Sequence, residues 1–410
     1  MSRHLLCAAA LAATLLWQPA GAAPLTLAQA LDLAVQGSQA AAAARAGLNS
    51  ATQTARAAGQ LPDPILRAGL ENLPVAGVDR FSTARDVQTM KRIGLSQEWL
   101  SRDKRALRQA AADAAVGREA LQLQLADADT RLQTALAYVE AWYADATLPL
   151  ALQAEQQASE ALQAGRARLA ASGSGSAEVL AGAAALGQAE DDSADLRQQQ
   201  AAALLALQRW VGQPADELMA VADWALPTEQ GFVAAAPQVQ LLASEIRLAR
   251  QAAALTAAER QPNWTWDVSL GQRTGYPDMV SMGVSIPLRL ARAERQDRDS
   301  AARQALVEKA EAELAEASRA ASAEYRALAS DRQGLQQRIQ RYDGGVLAPT
   351  RQRSAVTLAA YRSNQAALAH VFEARRAELD AQRRLLGLQR ELARTQARLA
   401  FKPLTTGATP

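Results

Sequence analysis

The side chains that could carry out chemistry are few, and they do not form a catalytic set. The sequence has two histidines and a single cysteine. His4 and Cys7 lie near the beginning of the chain, so His370 is the only imidazole in the rest of it. There is no glycine-rich phosphate loop, no His or Cys cluster with metal-ligand spacing, and no Ser/His/Asp set that one histidine could complete. The sequence therefore predicts a protein that is not an enzyme and that has no cofactor and no metal site.

His370 lies near acidic side chains that flank two predicted helix turns. A single imidazole binds a metal weakly unless symmetry brings three copies together. Histidine is also the side chain that most readily changes charge between pH 5 and 8, so a place in a ring of pore side chains is the alternative role for His370. Glu178 follows a small-residue turn at 172–176. His370 and Glu373 lie on the predicted helix that follows the second turn, at 362–365. Rings of these side chains around a pore would favour cations, whereas the alternative is that they are ordinary exposed helix residues.

Two segments, 65–99 and 263–288, predict β-hairpins in a chain that otherwise has helical patterns. In the second hairpin apolar and polar residues alternate, which indicates one apolar and one polar face. The apolar face is predicted to contain Val268, Leu270, Val280, Met282, Val284 and Ile286. The first hairpin alternates less regularly. Such strands fit either a soluble sheet covered by helices or the lipid-facing wall of a membrane barrel with a polar lumen.

Residues 1–22 have the features of an export signal. A short basic start, an apolar run too short to span a bilayer and an A-x-A cleavage site predict a mature chain that begins near Ala23. Cys7 would be removed with this segment, and the residues before it match a lipobox poorly, so no lipid anchor is expected. Export favours the membrane barrel over the soluble sheet.

Composition restricts the remaining possibilities. Hydrophobic residues make up 49% of the chain but aromatic residues only 4%, so the apolar content is mostly alanine and leucine, which favours closely packed helices. No stretch after residue 22 is apolar for long enough to predict a transmembrane helix. The net charge is +2, with basic and acidic residues interleaved along helices, which argues against nucleic-acid binding. A membrane role must then come from strands.

The order of predicted elements occurs twice. Residues 23–212 and 238–402 each have a helix that ends at a proline, a hairpin, a long helix, a turn and a return helix. The segment 213–237 predicts a linker between these repeats, and residues 23–410 are predicted to be a single channel domain. Thr26 and Gln29 form a capping-box pattern at the start of the first helix.

Four strands cannot close a membrane barrel, because the smallest barrels have about eight and an open sheet edge cannot face lipid. The barrel must therefore be shared between subunits. Long helices without extended apolar stretches are expected to project from the membrane into the periplasm. Trp99, Trp264 and Trp266 are predicted to form an aromatic belt at the membrane interface, with packing between strands and helices as the alternative.

These features together resemble the TolC-type outer-membrane efflux proteins over essentially the whole chain after the signal. The resemblance rests on the start LTLAQAL at 25–31, the first helix that ends at a proline, the paired hairpins and the turn motifs at 176–181 and 368–373. A further run, LPDP at 61–64 with the segments 70–74 and 79–81, resembles the members that accompany heavy-metal resistance-nodulation-division pumps.

The resemblance implies a mainly α-helical homotrimer with a shared twelve-stranded β-barrel in outer-membrane lipid and an α-helical barrel below it. It also implies two partners, a periplasmic adaptor protein and an inner-membrane resistance-nodulation-division pump. In the family the tunnel narrows at the helix turns, at a tyrosine and acidic residues. Tyr361 matches the tyrosine, and Glu178, His370 and Glu373 match the acidic positions.

The sequence thus predicts the exit duct of a tripartite efflux system in the bacterial outer membrane, with heavy-metal cations as the expected substrate. A channel of the same type for organic compounds or for protein secretion is the first alternative. A periplasmic coiled-coil adaptor, whose β-segments would form a soluble domain, is the second. Adaptors typically have one helical hairpin, whereas the sequence of this chain predicts two helical hairpins.

Overall fold

A computed structural model of the chain describes residues 24–172, 175–215, 217–221 and 224–404. The predicted export signal at 1–22 lies outside these residues, as does part of the first predicted helix turn. The described chain is mostly helical and contains a four-stranded antiparallel sheet. The prediction of a mainly α-helical protein with a small β part is therefore confirmed.

The order of helix, paired strands, long helix and return helix occurs twice. The first series contains α1 (Leu27–Gly37), α2 (Gln39–Ala58), β1 (Ile65–Glu71), β2 (Met90–Trp99), α3 (Arg102–Ser172) and α4 (Ser176–Val211). The second contains α5 (Glu229–Ala234), α6 (Pro237–Ala258), β3 (Trp264–Arg273), β4 (Met279–Ser285), α7 (Gln296–Tyr342), a π-helical turn (Asp343–Leu347), α8 (Ala348–Arg362) and α9 (Leu368–Phe401). The division into repeats at 213–237 remains a prediction.

The first helical segment differs from the sequence prediction. The capping box is present, since Thr26 Oγ1 accepts the Gln29 N–H at 3.2 Å and Gln29 Oε1 accepts the Thr26 N–H at 3.0 Å. The single predicted helix, however, is two helices. Ser38 has an extended backbone (ψ 114°), and its hydroxyl accepts the Ala41 N–H at 3.2 Å, which caps α2. Serine favours this position because its side chain replaces a missing backbone partner.

The chain divides into two compact units, and each takes segments from both predicted repeats. The first unit comprises 1–37, 134–223 and 341–390. In it, Tyr138 is fully buried among small and branched apolar side chains, and its hydroxyl lies 2.6 Å from the Leu25 carbonyl oxygen and 2.8 Å from that of Met219. Burial raises the pKa of Tyr138 to about 12. This side chain thus joins the start of the described chain to the segment after α4.

The second unit comprises 38–133, 224–340 and 391–410. Part of its core is formed by α5, a short helix in the segment predicted as a linker. Thr228 caps α5 by accepting the Gly231 N–H at 3.2 Å, and Phe232 packs against Leu328 and Leu399. Lys402 forms an ion pair with Glu324 at the end of α9. Six residues were too few for their helical pattern to be evident in the sequence.

Alanine occupies many of the fully buried helix positions, as the composition predicts. Examples are Ala30, Ala135, Ala141, Ala374 and Ala397. Within the described residues, no helix has both the length and the hydrophobicity that crossing a bilayer requires.

Candidate functional site

The sheet places every helix connection at one end and every loop at the other. Its strand order is β1-β2-β3-β4, and each neighbouring pair is antiparallel. The chain enters β1 and β3 from helices and leaves β2 and β4 towards helices at the same end. The β1–β2 loop (72–89) and the β3–β4 turn (274–278) lie at the opposite end. These are therefore called the helix end and the loop end.

One face of the sheet is apolar across all four strands. The register aligns residues in two successive rows, Leu66, Leu95, Val268 and Met282, and then Ala68, Ile93, Leu270 and Val280. Most of these side chains are exposed, and Met282 reaches 80%. The predicted face residue Val284 continues this face next to Trp266, whereas Ile286 follows the end of β4. A continuous exposed apolar surface of this kind marks an interaction with a partner or a membrane.

The opposite face of the sheet is polar. One row contains Arg67, Gly94, Ser269 and Ser281. Arg92 crosses this face, donating from Nε to Ser269 Oγ at 2.8 Å and from Nη1 to Glu71 Oε1 at 2.7 Å. Glycine makes room for Ser269, because a Cβ at Gly94 would lie 2.8 Å from the Ser269 Cβ. The two faces therefore differ as strongly as the alternation in the sequence predicts.

The three tryptophans predicted as an aromatic belt lie on the apolar face at the helix end. Trp99 is aligned with Trp264, and Trp266 is aligned with Gln97. All three are exposed, with Trp264 at 56%. The structure thus brings them together at one border of the apolar face.

The helix end of the sheet is held by a buried lysine that the sequence analysis missed. Lys104, in the first turn of α3, is 2% exposed. Its Nζ donates to the Gln261 carbonyl oxygen at 2.5 Å and to Asn263 Oδ1 at 2.7 Å, and Asn263 in turn donates to Glu98 at 2.7 Å. Buried polar groups require such partners. Lys104 therefore ties the start of α3 to the connection between α6 and β3.

In the first unit, an ion pair joins α3 to α4 close to the turn between them. Arg168 Nη1 donates to both carboxylate oxygens of Glu178, at 2.8 and 2.9 Å. Each side chain is 41% exposed. The predicted pore residue Glu178 is therefore paired within its own helical hairpin. Arg168 was missed because ten residues and a turn separate it from Glu178.

The turn between α8 and α9 is held by its backbone. Asn364 has a left-handed backbone (φ 62°), and its N–H donates to the Tyr361 carbonyl oxygen at 2.9 Å. The N–H of Gln365 donates to the Ala360 carbonyl oxygen at 2.8 Å. Tyr361 is exposed in the last turn of α8, and His370 is exposed in the first turn of α9.

Two of the four predicted constriction residues share a cavity. An open cavity of about 260 Å³ lies between residues of α3, α4 and α9, and both Glu178 and Glu373 line it, together with Arg168, Phe372 and Arg376. Tyr361 and His370 do not line this cavity. Among the described residues there is no group of three His, Cys, Asp or Glu side chains that could hold a metal ion.

Comparison with solved structures identifies similar folds. VceC, an outer membrane protein of Vibrio cholerae, has a TM-score of 0.73 at 18% identity, covering 92% of this chain and 96% of that chain. CusC, a protein that forms a transmembrane channel, has a TM-score of 0.76 at 14% identity, covering 92% of both chains. The MtrE outer membrane channel of Neisseria gonorrhoeae, in its open state, has a TM-score of 0.71 at 15% identity, covering 93% and 91%.

No protein-family model and no curated protein matches the sequence. At these identities the solved structures establish the fold of the chain. The chain therefore has the fold of the TolC-type outer-membrane channels, which are not enzymes.

Proposed function

We propose that this protein is an outer-membrane channel and the exit duct of a tripartite efflux system. The observation that carries this proposal is the two-faced sheet. A continuous apolar face fits lipid, and a polar face with paired Arg92 and Glu71 fits a water-filled lumen. A soluble sheet would have buried its apolar face against helices, as its large side chains require in water.

The channel is a homotrimer with a twelve-stranded barrel. Within the described chain, β1 and β4 have a neighbouring strand on one side only. In lipid their unpaired N–H and C=O groups would each cost several kcal/mol. Three copies, each pairing β4 with β1 of the next, would remove all such edges.

The helices project into the periplasm. In support of this orientation, all helix connections lie at the end of the sheet that carries Trp99, Trp264 and Trp266, which would mark the periplasmic interface. A periplasmic adaptor and an inner-membrane resistance-nodulation-division pump would dock at the helix turns. These partners follow from the sequence resemblance.

The constriction lies near the helix turns and passes heavy-metal cations. In support of this place, Glu178 and Glu373 line one cavity, in which Arg168 and Arg376 also lie, and Tyr361 and His370 flank the turn between α8 and α9. The combined variant Glu178→Gln and Glu373→Gln should reduce cation selectivity in planar-bilayer conductance, and Tyr361→Ala should raise conductance. Unchanged cation selectivity and unchanged conductance in these variants would mean that the constriction lies elsewhere.

Two neighbouring residues test the barrel directly. Met282 lies on the apolar face in the row of Val268, between the tryptophans and the loop end, and Ser281 lies on the polar face; both are exposed. Met282→Arg should cost about 2–4 kcal/mol near the bilayer midplane and prevent insertion, whereas Ser281→Arg should insert. Ser269 is a poor control, because it is buried against Arg92 and Gly94. The mass of the purified protein in detergent should correspond to three copies, and equal tolerance of both variants would reject the barrel.

A further inference from the structure

The apolar face of the sheet carries one basic side chain, Lys91, at its loop end. The register aligns Leu70, Lys91 and Gln272 in one row, next to the apolar row of Ile93. Lys91 lies on the apolar face, because residues two apart on a strand point to the same side. The side chain of Lys91 is exposed, and it has no ion pair among the described residues.

The position of Lys91 corresponds to the far border of a membrane-embedded band. Lys91 and Trp99 are eight positions apart on β2, which is roughly 26 Å along a strand. A barrel strand tilted by about 40° would cover about 20 Å of the apolar band, which is about 25 Å tall. The long side chain of lysine can bridge the remainder by extending its charge to the interface. With the tryptophans at the periplasmic border, Lys91 would lie at the outer-leaflet headgroups.

A groove leads from Lys91 onto the apolar face. It has a volume of about 480 Å³, and its apolar lining includes Ala68, Ile93 and Leu270. The polar side chains at its lining are those of Lys91, Gln272 and Asp278, whereas the guanidinium of Arg92 bonds to Glu71 and Ser269 on the opposite face. All of these residues belong to β1, β2, β3 and the β3–β4 turn. The groove is therefore complete within one chain and does not depend on a second copy.

We propose that this groove binds an outer-leaflet lipid whose headgroup carries a phosphate, with an acyl chain along the apolar rows. The proposal rests on the proposed function, since the apolar face must lie in the outer membrane. The Lys91 ammonium and the Gln272 amide supply donors to the phosphate, and Ala68 leaves space for the chain between the larger Leu66 and Leu70. Asp278 is the one carboxylate of the groove lining, and it weakens binding of the anion.

Native mass spectrometry of the full-length channel in detergent tests this site. The probes are lipid A with its phosphates, dephosphorylated lipid A and inorganic phosphate. Lys91→Gln should reduce retention of phosphorylated lipid A about fivefold, the effect of one basic residue at an anionic surface. Lys91→Arg should retain the lipid, and Asp278→Asn should increase retention. Arg85→Gln, which removes the same charge from the β1–β2 loop, is the matched control and should leave retention unchanged.

Three results would overturn the lipid site. The first is equal retention of phosphorylated and dephosphorylated lipid A. The second is retention by the Lys91→Gln variant that equals that of the wild-type protein. The third is displacement of the lipid by an equal concentration of inorganic phosphate, which would indicate a free-anion site. Each is measured on protein that inserts into bilayers and conducts. A wild-type protein that does not insert would instead overturn the proposed function, so the two failures are distinguishable.

Discussion

The two long helical segments of this chain each contain a proline, but the backbone before the proline differs between them. The first, α3, continues over 71 residues with Pro149 in its interior. The second changes to a π-helical turn at Asp343–Leu347, directly before α8, which has Pro349 in its first turn. A proline removes one helical hydrogen bond and clashes with the carbonyl four residues earlier. That residue is Asp145 in the first segment but Gly345 in the second.

This difference between the two segments indicates that the residues before a proline determine whether the α-helix is interrupted. Gly344 and Gly345 reduce the helix preference just where the proline disturbs it, and a widened π turn relieves the clash. In α3 the residues before Pro149 include alanine, leucine and Thr147, whose hydroxyl donates to the Tyr143 carbonyl oxygen at 2.6 Å. Proline disfavours an uninterrupted helix at both positions, yet the α-helix changes to a π-helical turn at the second alone.

The largest expected effect comes from removing the prolines. Pro149→Ala should stabilise α3 by up to about 3 kcal/mol, because it restores an interior hydrogen bond. Pro349→Ala should change stability far less, since the π-helical turn before Pro349 already relieves the clash with the carbonyl of Gly345. Hydrogen exchange of the amides around each site measures both effects. Equal stabilisation by the two substitutions would remove the distinction between the segments.

Replacing the two glycines should convert the second segment towards the first. A Cβ at Gly344 or Gly345 would meet nothing within 4 Å, so alanine fits. The double variant Gly344→Ala and Gly345→Ala should stabilise the local helix by about 1–2 kcal/mol, since glycine costs about 0.5–1 kcal/mol relative to alanine. Slower hydrogen exchange at 343–347 is the expected result. Faster exchange there would mean that the π turn itself is the stable form.

The two helix turns continue the comparison at a smaller scale. Arg168→Ala removes the ion pair with Glu178, and it should cost less than about 1 kcal/mol because the pair is exposed. Hydrogen exchange should increase near 168–178 and stay unchanged in the turn after α8. Arg362→Ala, in the turn held by backbone hydrogen bonds, is the control and should alter neither turn. A larger loss for Arg362→Ala would contradict the assignment.

The smallest effect concerns α7, which is tied to α5 through Glu229. The Ser322 hydroxyl donates a hydrogen bond to Glu229 Oε1 at 2.6 Å, and Arg326 Nε donates to the same oxygen at 2.9 Å. These contacts lower the pKa of Glu229. Because the folded pKa lies below the unfolded value of about 4.3, the stabilisation is present at neutral pH and lost as pH falls through the folded pKa. Glu229→Gln should therefore lower the thermal midpoint at pH 7, and this difference should shrink as pH falls through the lowered pKa of Glu229. A difference independent of pH would exclude the carboxylate as its source.

Much of the fold was predictable because it depends on local pattern. The alternation at 264–285 predicts two faces, and the register places Val268, Leu270, Val280 and Met282 on one of them. The helix before each hairpin ends four residues before a proline, at Ala58 and at Ala258, and the capping box at Thr26 forms as expected. Steric restriction at proline and the two-residue period of a strand act within a few residues, so one sequence is enough to recognise them.

Only the tertiary structure decided which polar side chains find partners. Lys104 lies in a charged stretch typical of an exposed helix surface, yet it is buried because Gln261 and Asn263 surround its ammonium group. Likewise, Glu178 is paired with Arg168 and shares a cavity with Glu373, which lies on a different helix. The burial and pairing of a charge depend on which distant segments pack against it. A residue's own neighbours in sequence carry almost no information about that choice.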